Sequence, residues 1–300
     1  MAVNNRVHEN ESGLPLNAIE WLETHHRSKA PEREQMILDL HLKKGSNVID
    51  AGCGPGLWTP LLACAIGSRG RITGVDISPA ALVTAQQRSH GQWYQRQVQY
   101  KQGILEQLPA QAGSAHVIFS ANVSQYLPDP AGTFAAMGQY LVPGGQLVIK
   151  DIDFGTMRFH NIDPTLQARV LQARERWERE RVDEGYAFED SWVGSKLAAY
   201  LRAAGFEEVE EKSYHIVRRY PLPADFRFYL QGIAEWFVCE GAPLLENTYH
   251  KQWLQLFLDG DQCALDNETF VSEETEFVVT GVWHKPALAQ VSFFDMHVSV

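Results

Sequence analysis

The residues of this chain best placed to do chemistry are two aspartates and three alternating glycines: Asp50, Gly52, Gly54, Gly56 and Asp76. They sit in NVIDAGCGPG, residues 47–56, and at the end of RITGVD, residues 71–76. Val48 and Ile49 are β-branched and apolar, as a strand buried on both faces of a parallel sheet requires. After the glycines, Leu57, Trp58, Leu61, Leu62 and Ala65 recur at helical spacing. Strand, glycine turn and helix in that order bring a ligand to backbone N–H groups at a helix N-terminus. Glycine lets such a turn take φ > 0 and approach a ligand with no Cβ in the way. A dinucleotide turn would read G-x-G-x-x-G. Counted from Gly52 the third place is Leu57, and counted from Gly54 it is Thr59, so both registers fail. No lysine follows as a phosphate loop needs. Asp76 ends a second strand 26 residues after Asp50, where a carboxylate can accept from both hydroxyls of a ribose.

The pattern D-x-G-x-G-x-G from Asp50 to Gly56 resembles the class I S-adenosylmethionine-dependent methyltransferases. The phrase YLVPGGQLVI, residues 140–149, is typical of the same family, and the resemblance runs from about Pro31 to Phe154. It implies S-adenosyl-L-methionine as cofactor, with Asp50 and the glycines against the methionine half and Asp76 on the ribose. Ile77, beside Asp76, is counted with the cofactor contacts. Cys53 lies inside the turn and can touch the cofactor, although a small filler is the better reading. The family often has an acid after the next glycine, reaching the adenine amine. This chain has Ile104 after Gly103, which leaves the backbone of Ile104 and Leu105 to hold the base. The loop after the fourth strand, with Asn122, Gln125 and Tyr126, should face the methyl donor, because ligands of open α/β sheets bind beyond the carboxyl ends of the strands.

Methyl transfer from a sulfonium needs an aligned nucleophile and a dry site more than it needs a triad. A general base is optional. Tyr126, Asp153 and His160 are the catalytic candidates, with Asp151 beside them. Asp151 and Asp153 alternate along a strand and so point the same way, able to orient an amine, act as a base or hold a divalent ion. Such an ion needs further oxygen ligands, and none stands out, so no metal is expected. His25 and His26 fall near a helix C-terminus, where interaction with the helix dipole is the preferred reading over a contact with the methyl.

These residues need a scaffold, and the chain is long enough to supply it. Hydrophobic residues make up 45% and charged ones 21% of 300, as in a globular protein with a substantial core. The net charge of −11 and the lack of a long basic run speak against nucleic acid and for a small neutral or cationic acceptor. No apolar run approaches the ~20 residues that cross a membrane, and the N-terminus has no signal-peptide core. Four scattered cysteines read as reduced thiols, so the expectation is a cytoplasmic monomer or homodimer.

From residue 47 the pattern alternates strand and helix, which predicts a Rossmann-like α/β fold: a mostly parallel sheet with helices on both faces. The family resemblance sets seven strands, the last antiparallel. Helices are expected at 14–29, 31–42, up to 66, 80–90, 128–141, 192–204, 224–239 and 244–258, and strands at 47–50, 71–76, 98–100, 116–120, 146–150, 209–217 and 276–283. Residues 1–13 read as disordered. A helical insertion at 163–184, rich in i,i+4 pairs such as Arg174/Glu178, reads as a lid whose charged face is solvated. The aromatics Phe226, Phe228, Tyr229, Trp236 and Phe237 can line an apolar pocket or form plain core. The expected division is an N-terminal cover (1–42), a cofactor core (43–154), the lid (155–191) and the C-terminal part of the core (192–300). Two other functions fit the same motifs: a fold relative using the sulfonium for a cyclisation or rearrangement, and a non-catalytic scaffold subunit.

Overall fold

A computed structural model describes residues 16–181, 189–239, 244–258 and 263–284. The disorder expected at 1–13 and the tail beyond 284 lie outside them. A seven-stranded mixed sheet forms the centre: β1 (Asn47–Ala51), β2 (Arg71–Asp76), β3 (Val98–Gln102), β4 (Ala115–Ala121), β5 (Leu141–His160), β6 (Glu207–Arg219) and β7 (Val271–Trp283), in the order β3-β2-β1-β4-β5-β7-β6. Strands β1 to β5 pair in parallel, while β7 runs antiparallel to β5 and β6. Chain direction across the sheet reverses between β1 and β4, the switch point at which such sheets open a crevice.

Helices α1 (Ile19–Ser28), α2 (Ala30–Asp39), α3 (Thr59–Ile66), α4 (Pro79–Ser89), α5 (Pro130–Gly138) and α7 (Leu197–Ala203) flank the sheet in chain order around α6 (Pro164–Arg181). Local chemistry explains the ends. Ser78 caps α4 through its hydroxyl, which accepts from Ala81 N–H at 3.0 Å, and Asp129 caps α5 from Gly132 N–H. Proline opens both helices at a position where no N–H is needed. One apolar layer joins Met36, Trp58, Leu62, Ile66 and Phe119, and another joins Ile118, Phe134, Leu147, Leu201 and Val279.

Strand five departs from its expected end at Lys150. It runs on for ten residues to His160, its far half paired with β7 beyond an irregularity between Asp153 and Arg158. The insertion therefore begins as sheet. Helix α6 then packs on α8 (Ala224–Cys239) and α9 (Asn247–Leu258), burying Leu166, Val170 and Ala173 in a cluster with Phe159, Trp236 and Trp253. Phe226, Tyr229, Trp236 and Phe237 are fully buried there, so most of that aromatic set is core. Most of the charge on α6 is solvated, as expected, with one exception. Arg176–Glu180 and Arg179–Glu175 are exposed, but Arg174 is buried, with Nε 2.7 Å from Glu178, Nη2 2.8 Å from Glu189 and Cζ 3.9 Å over the Trp236 ring. Among the described residues no helix is long and apolar enough to cross a membrane.

Candidate functional site

The turn after β1 is built for close approach. Gly52 has φ +75°, and a Cβ there would stand 2.4 Å from Val123 Cγ2. Its N–H donates to Val75 O at 2.7 Å, tying the turn to β2. Asp76 ends β2 with both carboxylate oxygens engaged: Oδ2 accepts from Gly54 N–H at 2.7 Å and Oδ1 from Ser78 N–H at 2.9 Å. The same carboxylate thus holds the glycine turn and the start of α4. Across the switch point, Asn122 takes φ +58° and its side-chain oxygen accepts from Lys150 Nζ at 2.6 Å.

Between these loops lies a cavity of about 260 Å³. Its floor is Gly52, Cys53 and Gly54; Asp76 and Ile77 form one wall, Gly103 to Glu106 another, and Asn122, Val123 and Tyr126 a third. Asn17, Leu22 and His25 from the N-terminal segment, Arg33 from α2 and Trp58 close it. A small neighbouring cavity, about 30 Å³, shares Asn17, Leu22, His25, Asn122 and Tyr126 and adds Gln125, Phe154 and Tyr229. A larger groove of about 810 Å³ lies at the amino ends of the strands, against Lys43, Ser46, His116 and Gly145. Ligands of this fold bind at the carboxyl ends, so the smaller cavity is the candidate site.

Of the residues expected to hold a cofactor, Gly52, Cys53, Gly54, Asp76, Ile77, Ile104, Leu105 and Asn122 line this cavity, and Gln125 lines its neighbour. Gly56 does not: it packs against Tyr100 and Ala85, where a Cβ would meet the Tyr100 hydroxyl at 2.8 Å. Asp50 is also withdrawn, buried in β1, and burial together with the nearby Asp76 pushes its carboxyl up to about 7.

Two catalytic candidates are placed elsewhere. His160 sits on the far end of β5, about half exposed and 3.2 Å from Glu273. Asp153 caps backbone, accepting from Gly155 N–H at 2.9 Å and Ser195 N–H at 3.2 Å. Asp151 does the same for Ser124 and Ile152, at 2.9 and 3.0 Å, and burial raises it to about 6. Their shared direction along the strand serves loop anchoring, and no cluster of metal-ligating groups occurs among the described residues. Tyr126 alone of the three lines the cavity. Its hydroxyl accepts from Asn17 Nδ2 at 2.8 Å, and burial holds it protonated.

Of the polar residues of the cover, only His25 and His26 stood out in the sequence; Lys29 and Arg33 did not. Trp21, His25 and Lys29 share one face of the first helix and its cap at i,i+4 spacing, and all three are buried. Lys29 Nζ lies 2.8 Å from Glu274 and 3.0 Å from Glu276, and Lys150 Nζ lies 2.8 Å from Glu276. Burial, reinforced by Lys29, Arg33 and Lys150, keeps His25 far below the usual histidine range, and His26 falls to about 2 by burial and Arg33. Both imidazoles are neutral, which removes the dipole reading, since that requires a cation. Polar side chains on an otherwise apolar helical stripe were the signal that could have revealed them.

A family described as methyltransferase domain matches residues 42–193, just over half of the chain. An uncharacterized protein in a transposon of Streptomyces fradiae is 28% identical over 199 residues, covering 65% of this chain and 54% of that protein. A ubiquinone biosynthesis O-methyltransferase of Aromatoleum aromaticum is 34% identical over 110 residues, 36% of this chain and 45% of that one. The chain spans about half the length of these curated relatives. Among solved structures, phosphoethanolamine N-methyltransferase 2 of Haemonchus contortus, in complex with S-adenosyl-L-methionine, has a TM-score of 0.51 at 16% identity, covering 90% of this chain and 59% of that one. At that identity the likeness speaks for the fold.

Proposed function

The chain belongs to the S-adenosylmethionine-dependent methyltransferase family, and on that premise we infer that it methylates an O, N or C nucleophile of a small apolar or amphipathic metabolite. The observation that carries this reading is the cavity at the switch point, with Gly52 and Gly54 beneath it and Asp76 at its side. The cofactor supplies a methyl group already activated on a sulfonium. The chain's part is to hold, align and keep dry. Asp76 would accept from the ribose hydroxyls while keeping its bonds to Gly54 and Ser78, since a carboxylate offers about four acceptor sites. Ile77, Ile104 and Leu105 give the base an apolar bed. Asn17, His25, Asn122 and Tyr126 belong to both cavities, and in this reading the acceptor meets the methyl there. Neutral His25 can accept a hydrogen bond from the acceptor through Nε2, which has no hydrogen-bond partner among the described residues, while Leu22 and Trp58 exclude water. Asp153 and His160 have no part in it.

The test is transfer of tritium from methyl-labelled S-adenosylmethionine to a panel of small phenols, amines and enolisable carbonyl compounds. Label in an organic-extractable product, lost with Tyr126→Ala or His25→Ala while S-adenosylhomocysteine still binds, is the expected result. Label appearing only in protein or nucleic acid added to the assay would overturn the small-acceptor reading.

A further inference from the structure

Asn122 holds one half of its side-chain amide in reserve. It stands just beyond β4 at φ +58°, a left-handed backbone that asparagine adopts more readily than most residues. Lys150 on β5 pins it twice. Asn122 N–H donates to Lys150 O at 2.8 Å, and Lys150 Nζ donates to Asn122 Oδ1 at 2.6 Å. A lysine ammonium donates only, so this bond fixes which branch of the planar amide is the oxygen. Lys150 is fully buried, with Glu276 Oε1 2.8 Å from Nζ. Burial lowers it to about 8, opposed by Glu276 and helped by Arg33 and Lys29, so it is a cation at neutral pH. The amide oxygen is therefore held by the protein, while Nδ2 donates to no group among the described residues. Asn122 lines both cavities. Polar neighbours there are occupied: Asn17 Nδ2 donates to the Tyr126 hydroxyl at 2.8 Å, and the Tyr229 hydroxyl donates to Glu274 at 2.6 Å while accepting from Lys29 at 3.1 Å. An unpaired N–H in a pocket closed to water calls for an oxygen, and an ammonium, which has no lone pair, cannot supply one.

We propose that Asn122 Nδ2 receives an oxygen of the acceptor, a carbonyl or hydroxyl oxygen at or beside the atom that is methylated, and that Lys150 is the positioning residue that aims it. This deepens the functional reading above and rests on it. Asn122 stands where the cavity of the glycine turn meets the smaller one, and the smaller one is lined by none of Gly52, Gly54 and Asp76. The donor is thus set where acceptor and methyl group meet. Lys150 does more than steady the loop. Its charge on Oδ1 polarises the amide and strengthens the N–H groups of the other branch as donors.

Three probes of nearly one shape test this: acetophenone, cumene and 1-phenylethylamine carry an oxygen, a methyl and an ammonium at the same place. Each is titrated by ligand-detected NMR against the full chain loaded with S-adenosylhomocysteine, once calorimetry has measured that loading. Asn122→Asp is the decisive variant. Aspartate tolerates the same backbone and keeps an oxygen for Lys150, but it replaces the donor by an acceptor. Measured relative to cumene, acetophenone should bind this variant at least about tenfold more weakly than it binds wild type, and 1-phenylethylamine at least about tenfold more tightly, as expected where a charged group replaces the donor. Lys150→Met, which leaves the amide free to turn, should weaken acetophenone relative to cumene, whereas a merely structural role would weaken all three probes alike. Unchanged preferences in Asn122→Asp, or no binding of any probe to loaded wild type, overturns the assignment. A loss confined to S-adenosylhomocysteine affinity overturns it too, by giving the donor to the cofactor. Asn122→Asp decides alone should Lys150→Met fail to fold. Failure of wild type to bind S-adenosylhomocysteine would instead strike the cofactor reading itself.

Discussion

Asp76 has two jobs, and substitution should separate them. It braces the glycine turn through Gly54 N–H and, in our account, receives the ribose. Asp76→Asn keeps one acceptor oxygen for the turn, so the variant should fold while affinity for S-adenosylhomocysteine falls by about 1.5–3 kcal/mol for each charged hydrogen bond lost. Calorimetry beside circular dichroism checks this, and an unchanged dissociation constant would mean the ribose is held elsewhere. Asp50 makes a prediction of a different kind. Its carboxyl is raised from 3.8 to about 7 in the folded chain, first by burial and then by Asp76. The folded state therefore binds the proton more tightly than the unfolded one, and this stabilising contribution is complete below about pH 4 and lost as pH rises through about 7. Thermal unfolding of ligand-free Asp50→Asn should gain on wild type between about pH 4 and 7 and hold that gain at higher pH. A constant difference would contradict it. At this scale the spacing of Gly52, Gly54 and Asp76 was legible because backbone geometry dictates those residue types. Arg33 was not, and His25 stood out but read as a dipole partner, since a lone polar residue on a helix looks the same whether it faces water or a cavity. Asp153 and His160 misled for the complementary reason: a polar residue near a strand end can cap backbone or lie on the surface as readily as it can meet a ligand.

Helix α6 shows what element-level patterns hide. Three i,i+4 pairs look alike in the sequence, yet packing against Trp236 buries Arg174 while Arg176 and Arg179 stay in water. Arg174→Ala should cost about 3–5 kcal/mol in urea unfolding, because it leaves Glu178 and Glu189 buried without their cation. Arg179→Ala, at a pair exposed on both sides, should cost well under about 1 kcal/mol. Similar losses would mean that the burial of Arg174 does not matter. No residue of α6 lines either cavity, so replacing residues 163–184 by a flexible linker would first strip the apolar cluster on α8 and α9. The reading of the insertion as a lid thus has weaker support than closure of the cavity by the first helix, which contributes Leu22 and His25 to the lining. The extension of β5 escaped notice because Gly155 and the irregular register after Asp153 interrupt the alternation that marks a strand.

At the scale of the whole molecule, the alternation of strands and helices was enough to predict the parallel half of the sheet and its switch point. Periodicity and glycine placement are local properties, and β1 to β4 form from them. What could not be read was the arrangement of cover and far strands, since the ion network of Lys29, Lys150, Glu274 and Glu276 joins residues up to 247 positions apart. The two lysines and two glutamates of that network balance one another in charge. The central claim is that the cavity at the carboxyl edge is an S-adenosylmethionine site. Isothermal titration of the intact chain with S-adenosylhomocysteine, and separately with NAD, addresses it most directly. The account predicts one-to-one, micromolar binding of S-adenosylhomocysteine and none of NAD; binding of NAD with no response to S-adenosylhomocysteine would contradict it.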